Sequence, residues 1–504
     1  MPTPNMMSIV HYCGISECQH CGYCNSTKRS KAKIAVESSS YDHNKDDSKE
    51  ECNSVTFGLF ARFLTLNSFN QLLDLGLWAY RLTVRAYLAL MDRGWRRSGK
   101  YLYKPLMEKT CCPQYTIRLD VHKFRLSRTQ KRVLRAMKNY LLFDIKPKEK
   151  CVVKTENYGS INKNNNQIKK LKQINKRVNS QPNECVTKKK YLRRLKAEER
   201  LKLKGVDLEK YKKERAEKEA SRIKTLQSYL EYLSVEKKEN EWKHRLNVTL
   251  VGQPSPQFDK DFNEEFNIFK RYQIEIHKDD PNELSTNSFT RFLASSPLIN
   301  EEEKDEKQRH LIPLGSYHQQ YRLDGRIIAV GVIDILPNCF SSKYLFYDPD
   351  YSFLSLGVFS ALFEINFTKQ LALQRPNLHY YYMGFYLYDC PKMRYKECFR
   401  PSDLLCDYCY DWVPITECNR LLEENNGRFT TFHPNIEKSK KEEPTEQQLS
   451  QVQCLTDNIL INFGNLRATL EANGDYEELE EITEKVRNFA YYLGPVSSQI
   501  VLML

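Results

Sequence analysis

The sequence predicts an α/β protein of the α+β type, with a small cysteine-bearing N-terminal domain and a larger C-terminal domain built on a mixed sheet. Three observations carry this prediction. The run 315–386 reads as an apolar strand, a turn, a second strand, a loop ending in Ser-Leu-Gly, a long helix and an aromatic strand. Cysteines cluster within the first 24 residues. The chain has 504 residues, too many for one core, so two or three domains are expected.

The composition bounds the class of protein. The chain carries 78 Lys and Arg against 64 Asp and Glu, a net charge of +14. This excess fits an anionic partner such as RNA, and equally fits a protein with Lys-rich linkers. No run of about 18 uncharged apolar residues occurs, so no membrane partner is expected. The first residues lack a secretory signal, so the 16 cysteines are expected to be thiols or metal ligands rather than disulfides.

Changes in composition divide the chain. Residues 1–146 form the predicted N-terminal metal-binding domain, within which the polar stretch 26–54 is predicted to be a disordered insertion. Residues 147–187 are rich in Lys, Asn and Gln and are predicted to be a disordered linker. Residues 188–246 are basic and helix-forming, as either a solvated helix or one that contacts RNA. Residues 247–504 form the predicted transferase domain.

The pattern of apolar residues assigns the elements in order. The stretch 55–91 alternates apolar and polar residues in a way that favours a helix over a strand. In the C-terminal domain NVTLV, RIIAVGVIDIL and HYYYMGFYLY predict strands, whereas LSLGVFSALFEINFTKQLAL predicts the helix between the last two. The segment DYEELEEITEKVRNFAYYLG predicts a helix that ends at Gly494.

Two pairs of cysteines indicate a metal site. Cys21-Gly-Tyr-Cys24 is a CxxC knuckle, and the adjacent pair Cys111-Cys112 lies far downstream. Two plus two thiolates suit a tetrahedral zinc ion or the four ligands of an iron–sulfur cluster, and spacing alone does not choose between them. The alternative is a set of unpaired thiols. The candidate ligands are Cys21, Cys24, Cys111 and Cys112, with Cys13 and Cys18 as substitutes.

A second CxxC motif lies at Cys406-Asp-Tyr-Cys409. It has no visible partner pair elsewhere in the sequence. We therefore interpret it as structural rather than metal-binding.

The chain resembles the eukaryotic arginyl-tRNA–protein transferases. Besides the CGYC knuckle, the matching motifs are DRGWRRSGKY at 92–101, CCPQYTIR at 111–118, the run 318–386 and RPSDLL at 400–405. The resemblance covers most of both globular regions and skips the linkers. One departure is the segment between Cys24 and about Trp78, which is longer than the family's pattern and puts its local structure in doubt.

The resemblance implies a reaction and a location. Arginine would pass from arginyl-tRNA to the N-terminal α-amino group of acceptor proteins that begin with Asp, Glu or oxidised Cys. The product would carry an N-degron, which marks it for ubiquitin-dependent degradation in the cytoplasm and also in the nucleus. The resemblance also implies a zinc or iron–sulfur site at the cysteines and a C-terminal fold like that of the N-acetyltransferase (GNAT) superfamily.

Carboxylates are the natural partners of the arginyl guanidinium and of the acceptor ammonium group. Asp348 and Asp350 are the favoured catalytic candidates because they lie at a strand end beside the Ser-Leu-Gly loop. Their alternative role is in a turn, since Asp-Pro is common turn chemistry. The other carboxylate candidates for binding substrate are Asp324, Asp334 and Glu364.

Cationic and hydrogen-bonding candidates complete the predicted site. Arg96 and Arg97 are candidates for the acidic side chain of the acceptor, with backbone packing or a tRNA phosphate as their alternative partners. His318 is a candidate for polarising the ester or moving a proton, although a structural histidine is the simpler interpretation. The candidates for the terminal adenosine of the tRNA are Tyr317, Gln320 and Tyr321.

Two other functions compete with this one. An acetyl-CoA-dependent N-acetyltransferase would share the core, but that class carries a Gly-rich pyrophosphate loop before the helix. Here residues 351–357 contain one glycine and two aromatic residues, so no coenzyme A is expected. A non-enzymatic RNA-binding protein with a zinc site fits the basic linkers and the cysteines, but leaves the long acyl-transfer-like block unexplained.

Overall fold

The computed structural model describes residues 7–20, 23, 69–147, isolated positions between 196 and 213, and residues 224–234, 242–299, 311–433 and 443–504. The predicted insertion, nearly all of the predicted linker and most of the predicted basic segment lie outside these residues. Met1–Lys146 and Leu230–Leu504 form one compact unit, and Pro147–Tyr229 form a second. In the second unit, the Asp207 carboxylate accepts hydrogen bonds from the amides of Glu209 and Lys210, as an N-cap residue does.

The first sheet, sheet 1, joins the beginning of the chain to its end. Its strands are β1 (Ser8–His20), β2 (Phe69–Thr83), β3 (Arg96–Ser98), β4 (Tyr101–Pro105), β7 (Leu298–Ile299), β14 (Gln453–Thr456), β15 (Ile459–Asn462) and β16 (Ile500–Met503). They run in the order β15-β14-β16-β1-β2-β4-β3, and β7 pairs with β2. The first strand is parallel to the last and antiparallel to β2.

Strand β2 corrects a prediction. The pattern of residues 55–91 favoured a helix, but residues 69–83 form a strand and only Val84–Met91 are helical. Residues 55–68 lie outside the described part of the chain. β2 lies between β1 and β4, and its central residues, from Asp74 to Leu77, are buried on both faces. Burial on both faces removes the apolar–polar alternation that identifies a half-buried strand.

Sheet 2 carries most of the predicted site. Its strands are β5 (Tyr115–Asp120), β6 (Leu246–Gly252), β8 (Gly315–Leu323), β9 (Arg326–Ile335), β10 (Cys339–Tyr347), β11 (Tyr380–Tyr386), β12 (Ser402–Leu405) and β13 (Trp412–Pro414). They run in the order β13-β12-β5-β11-β10-β9-β8-β6. β5 comes from the first 146 residues and lies between β11 and β12. Both sheets therefore combine strands from the two ends of the chain.

The structure also contains helices. They are α1 (Val84–Met91), α2 (Arg128–Phe143), α3 (Leu226–Leu230), α4 (Pro256–Tyr272), α5 (Thr286–Phe289), α6 (Leu356–Gln374), α7 (Pro391–Arg394), α8 (Ile415–Glu424), α9 (Glu446–Ser450), α10 (Phe463–Asn473) and α11 (Tyr476–Leu493). The predicted helices at 356–374 and 476–493 are confirmed, as are the strands β6, β9 and β11. Within the described ranges, no helix combines the length and apolar character needed to cross a bilayer.

Helices α4 and α6 cover opposite faces of sheet 2. Phe269 of α4 packs in a core with Val330 and Val332 of β9. Between these two valines lies Gly331, whose open face is met by the carboxylate of Glu364 from α6, 3.1 Å from where a Cβ would stand. Because side chains alternate along a strand, the two helices must contact different faces.

Strands β10 and β11 pair for only part of their length. They are parallel, with α6 as the crossover, and their register runs from Cys339↔Tyr380 to Ser341↔Tyr382. Beyond these three pairs no further pairing joins the two described strands, so the sheet opens toward the C-terminal ends of both. Ligands of open α/β sheets bind at such carboxyl ends.

One buried ion pair joins the sheets. The Arg97 guanidinium on β3 donates from Nε to Asp334 Oδ2 on β9 over 3.0 Å and from Nη2 to Oδ1 over 2.5 Å. The guanidinium also donates to two further acceptors, the Ser316 hydroxyl at 2.7 Å and the Gly99 carbonyl at 2.8 Å. The side chains of the pair are 1% and 0% exposed. Burial alone would raise the pKa of Asp334, but the positive charges of Arg97 and Lys343 outweigh it and lower that pKa.

Asp334→Asn is expected to lower the free energy of unfolding by about 3–5 kcal/mol, because it leaves the buried Arg97 charge without a counterion. Urea unfolding of the full chain measures this. The matched control is Arg420→Gln, which removes an exposed ion pair to Glu424 and should cost about 0–1 kcal/mol. Equal unfolding curves for the two variants would contradict the importance of the pair.

Candidate functional site

Arg96 and Arg97 are consecutive on β3, but their surroundings differ. Arg97 is fully engaged in the ion pair described above. Arg96 is 6% exposed, and its Nη1 donates to the Trp95 carbonyl at 2.8 Å. Its Nε and Nη2 are buried and find no hydrogen-bond partner among the described residues. The guanidinium faces the rings of Phe385 and Tyr382, 5.4 and 5.8 Å from their centroids. Among the described residues, Arg96 therefore has two nitrogens left to donate to an anion, whereas every nitrogen of the Arg97 guanidinium already donates to an acceptor.

His318 is enclosed within the core. It is 0% exposed, and its Nδ1 is hydrogen-bonded to the Glu265 carboxylate on α4. Nε2 lies 3.3 Å from the Leu293 carbonyl, and the Phe258 ring packs edge-on. With both ring nitrogens engaged, this geometry favours a structural histidine. The catalytic role of His318 stays a prediction.

The neighbouring residue Gln320 belongs to the same buried group. Its amide nitrogen donates to Asp261 at 3.1 Å and to Glu265 at 2.7 Å. Tyr321 points to the opposite face and donates to Gln319 Oε1 at 2.8 Å. Both residues are buried and satisfied within the protein, so contact with an adenosine would require a rearrangement. That contact stays a prediction.

Asp348 and Asp350 share a guanidinium. Arg271 of α4 donates to Asp348 Oδ1 at 2.9 Å and approaches Asp350 Oδ1 at 3.2 Å. Asp348 also caps the 3₁₀ turn 349–354 by accepting from the Asp350 amide at 3.1 Å. The predicted turn role is therefore present, and the pair also holds an arginine side chain. Arg271 was not identified from the sequence, although its (i, i+4) spacing to Glu275 marks it as part of a charged surface.

Glu364 is buried beneath sheet 2. Its carboxylate accepts a hydrogen bond from the Tyr381 hydroxyl at 2.6 Å. Burial raises the pKa of Glu364 to about 7, against the opposing effect of the hydrogen bonds from Tyr381 and Ser342. The structure thus gives Glu364 a place in the core, and its role in binding substrate stays a prediction.

The last two predicted residues lie on the surface of sheet 2. Asp324 occupies the β8–β9 hairpin turn with φ +50°, accepts the Arg245 amide at 2.7 Å and binds His244 Nδ1 at 2.7 Å. The Tyr317 hydroxyl donates to the Pro313 carbonyl at 2.6 Å. Asp324 is thus a turn residue, as Asp-Gly turns favour.

The cysteine site is only partly described. Cys21 and Cys24 lie outside the described residues. Cys112 packs in a cluster with Tyr103, Phe385 and Cys390, and the partly buried side chains against it include Cys111, Cys13 and Tyr23. Tyr23, which stands between Cys21 and Cys24 in the sequence, therefore lies against the same cluster as the Cys111-Cys112 pair. Over the described ranges no three ligand side chains converge on one point, and the four-cysteine site stays a prediction.

Two lysines were missed by the sequence reasoning. Burial and the nearby Arg97 lower the pKa of Lys343 to about 7, and its buried Nζ meets no hydrogen-bond partner among the described residues. Burial and Arg96 lower the pKa of Lys396 to about 7, and its Nζ donates to the Phe385 carbonyl at 2.6 Å. The sequence held a signal for Lys343, since it is a single Lys inside the strand FSSKYLFY. It held no such signal for Lys396.

Comparison with known proteins identifies the family. The family described as "Arginine-tRNA-protein transferase, N terminus" matches residues 19–132, and "Arginine-tRNA-protein transferase, C terminus" matches residues 264–406. Arginyl-tRNA–protein transferase 2 of Arabidopsis thaliana is 35% identical over 437 residues, which cover 69% of this chain and 72% of that protein. The chain belongs to the arginyl-tRNA–protein transferase family.

Other relatives extend this result. Arginyl-tRNA–protein transferase 1 of Drosophila melanogaster is 36% identical over 396 residues, 69% of this chain and 79% of that protein. An aspartate/glutamate leucyltransferase of Pseudomonas fluorescens is 36% identical over 146 residues, 29% of this chain and 53% of that protein. These matches give no support to the acetyl-CoA-dependent acetyltransferase or to the non-enzymatic RNA-binding protein, which were the competing predictions.

The transferase has a titratable contact beside Asp324. His244 stacks on Tyr140 and binds Asp324 through Nδ1 at 2.7 Å and Asp144 through Nε2 at 3.1 Å. Carboxylates only accept, so both bonds form only when the imidazole is protonated. Partial burial would lower the pKa of His244, but the hydrogen bonds to Asp324 and Asp144 outweigh it and raise that pKa.

The His244 contact is expected to contribute stability that is complete below the unfolded-state pKa of about 6.5 and is lost as the pH rises through the higher folded-state pKa. The melting temperature of His244→Gln should therefore fall short of wild type near pH 6 and approach it near pH 9. The exposed His122 gives the control variant His122→Gln. A constant difference across this range would refute the assignment.

Proposed function

We propose that this family member transfers arginine from arginyl-tRNA to the N-terminal α-amino group of acceptor proteins that begin with Asp, Glu or oxidised Cys. The arginylated product would carry an N-degron read by the ubiquitin system in the cytoplasm and nucleus. Membership of the family supports the transfer of arginine from tRNA to protein. The single observation that supports the acceptor class is Arg96, a buried guanidinium whose Nε and Nη2 have no hydrogen-bond partner among the described residues.

The reaction mainly requires that the enzyme hold its two substrates in the right positions. An aminoacyl ester is already activated, and its carbonyl carbon accepts the acceptor's amine while the tRNA hydroxyl leaves. A free α-amine has a pKa of about 7.7–8.0, so a useful fraction is neutral at cellular pH. Holding the two substrates together then supplies much of the acceleration. A strong base is unnecessary for this mechanism.

Arg96 suits the acidic acceptor side chain for a physical reason. A buried guanidinium with unused N–H donors gains charge-assisted hydrogen bonds when a carboxylate arrives, and the pair is then shielded from water. Asp, Glu and the oxidised forms of Cys share a negative charge, so one cation serves all three. The flanking rings of Tyr382 and Phe385 limit where the guanidinium can move.

The donor end is proposed to bind where β10 and β11 separate. This opening at the carboxyl ends of parallel strands is also the feature that supports a GNAT-like plan for sheet 2. Aromatic side chains stand near it: the rings of Tyr272 and Tyr347 meet edge to face at 4.8 Å. Rings of this kind can stack on a terminal base.

Asp348 and Asp350 are proposed to read the arginyl group. Their carboxylates already bind the guanidinium of Arg271, so their spacing suits this group. Arg271 has a side chain that is 42% exposed, and a donor arginine could compete with it for the same oxygens. In this proposal Arg271 holds the two carboxylates in place until the donor binds.

The cysteine site is proposed to hold zinc or an iron–sulfur cluster through Cys21, Cys24, Cys111 and Cys112. A set of four thiols fits either, and the contact of Tyr23 with the Cys112 cluster supports the convergence of the two pairs. The metal would tie the two segments together. We assign it no step in the transfer.

Arg96→Gln is expected to raise the KM for a peptide beginning with Asp by roughly 10- to 150-fold, the loss of about 1.5–3 kcal/mol of charged hydrogen bonding. Transfer of labelled arginine from arginyl-tRNA to the peptide measures it. Arg420→Gln, on the exposed face of α8, is the control and should behave as wild type. Failure of the wild-type protein to transfer arginine at all would refute the proposed function itself.

Cys112→Ser is expected to lose most of the bound metal, because removing one of four thiolates opens the site. Metal content and absorbance are measured on protein purified without oxygen. The control is Cys454→Ser in sheet 1, a buried thiol outside this cluster. Equal metal content in the two variants would contradict the ligand assignment.

A further inference from the structure

The second CxxC motif forms a tight turn between β12 and β13. The Tyr410 amide donates to the Cys406 carbonyl at 3.0 Å, and the Cys406 amide donates to the Asp411 carbonyl at 2.9 Å. The first of these hydrogen bonds, from residue 410 to residue 406, defines an α-turn, which is one turn of α-helix that is not continued. Tyr410, at the end of this turn, has φ +59°. The turn therefore holds Cys406 and Cys409 on neighbouring stretches of backbone. Cys406 is fully buried, whereas Cys409 is half-buried and open to small reagents.

We propose that Cys406 and Cys409 are a site of reversible disulfide formation, with low-molecular-weight disulfides such as glutathione disulfide as the oxidant. Residues three apart in such a turn have Cα atoms about 5–6 Å apart, within the range that a disulfide spans. Because the turn already sets this separation of the two Cα atoms, closure needs rotation of the side chains rather than movement of the sheet.

The exchange proceeds in two balanced steps. The Cys409 thiol loses its proton, and the thiolate attacks the oxidant's S–S bond to form a mixed disulfide and release one small thiolate. The Cys406 thiol then loses its proton and attacks the Cys409 sulfur, which releases the second small thiolate. Two electrons pass from the protein dithiol to the oxidant, and the two protons end on the two released thiols.

Burial makes the exchange slow. It is the main cause that raises the pKa of Cys409 to about 12, so little thiolate exists at neutral pH. The state of the pair is therefore best measured at equilibrium.

The turn is connected to the arginine-bearing strand. Asp407, inside the motif, forms a buried ion pair with Lys104, whose Nζ also donates to the Arg93 carbonyl at 2.6 Å. The Arg93 guanidinium lies 4.0 Å from the centroid of the Tyr410 ring. A Cβ on Gly94 would stand 3.5 Å from the Asp407 carboxylate, so the turn packs directly against Gly94.

A disulfide would pull on both ends of this turn. Asp407 lies between the two cysteines and Tyr410 follows the second, so their contacts with Lys104, Arg93 and Gly94 must adjust. Gly94 is two residues from Arg96. Oxidation is therefore expected to move Arg96 and weaken acceptor binding; this last step rests on the proposed function, whereas disulfide formation does not.

A third thiol provides an internal comparison. Cys418 of α8 is buried, and its Sγ lies 3.5 Å from the Val413 carbonyl. A bond between Cys406 and Cys418 would contradict the proposed pairing. Cys398 is exposed and supplies the control for general thiol oxidation.

The test is an equilibrium redox titration of the full-length chain in mixtures of reduced and oxidised glutathione, followed by alkylation and peptide mass mapping. We expect Cys406 and Cys409 to lose alkylation together as an internal disulfide, and dithiothreitol to restore it. In Cys409→Ser, Cys406 should stay alkylatable or carry glutathione. Full alkylation of both cysteines at the most oxidising ratio, or a Cys406–Cys418 bond, would overturn the site.

Arginine transfer is measured on the same samples. Oxidised wild type should show a several-fold higher acceptor KM than reduced wild type, and Cys409→Ser should lose this difference between oxidised and reduced samples. Cys398→Ser should keep it, which separates the effect from oxidation of other thiols. An internal disulfide without a change in KM would overturn the link to Arg96. Absence of transfer by the reduced protein would instead refute the proposed function, while the mapping result would still decide the disulfide.

Discussion

The buried pair of Arg97 and Asp334 connects the two sheets, and the geometry of the proposed acceptor site depends on it. Arg97 reaches from β3 of sheet 1 to β9 of sheet 2, and each of its three guanidinium nitrogens donates to Asp334, Ser316 or Gly99. A pair with this little exposure to water is favourable only when every polar atom is satisfied. It therefore fixes β3 against the edge of the core with little freedom to slide.

The fixed position of Arg97 determines the direction in which the Arg96 side chain points. Adjacent residues on a strand point to opposite faces, so an Arg97 held in the inter-sheet contact leaves Arg96 directed at Tyr382 and Phe385 of β11. Two of its nitrogens are then buried without a partner among the described residues, which is costly in a folded protein unless a ligand satisfies them. The fixed position of Arg97 thus explains why Arg96 keeps two nitrogens without a partner among the described residues.

The sequence could predict the parts whose signals are local. The hairpin, the long helix α6 and the aromatic strand β11 each stand out as a long apolar run, and the Asp-Gly turn at 324–325 is set by its own residues. Strand β2 was missed because it is buried on both faces. The placement of β5 inside sheet 2 could not be seen either, since no local pattern records which distant strand will be its neighbour. The candidate site shows the same division: the sequence could name Arg96, Arg97 and Asp348, but only the contacts show that Arg97 is taken and that Arg271 occupies the Asp348–Asp350 pair.

The most direct test of this account is the kinetics of Arg97→Lys. Lysine keeps the charge but cannot bind both Asp334 oxygens, Ser316 and Gly99 at once. On variant protein shown to be folded, the account predicts a several-fold higher KM for a peptide beginning with Asp and an unchanged KM for arginyl-tRNA. An unchanged peptide KM, or a change confined to arginyl-tRNA, would contradict the claim that the buried pair positions the acceptor site.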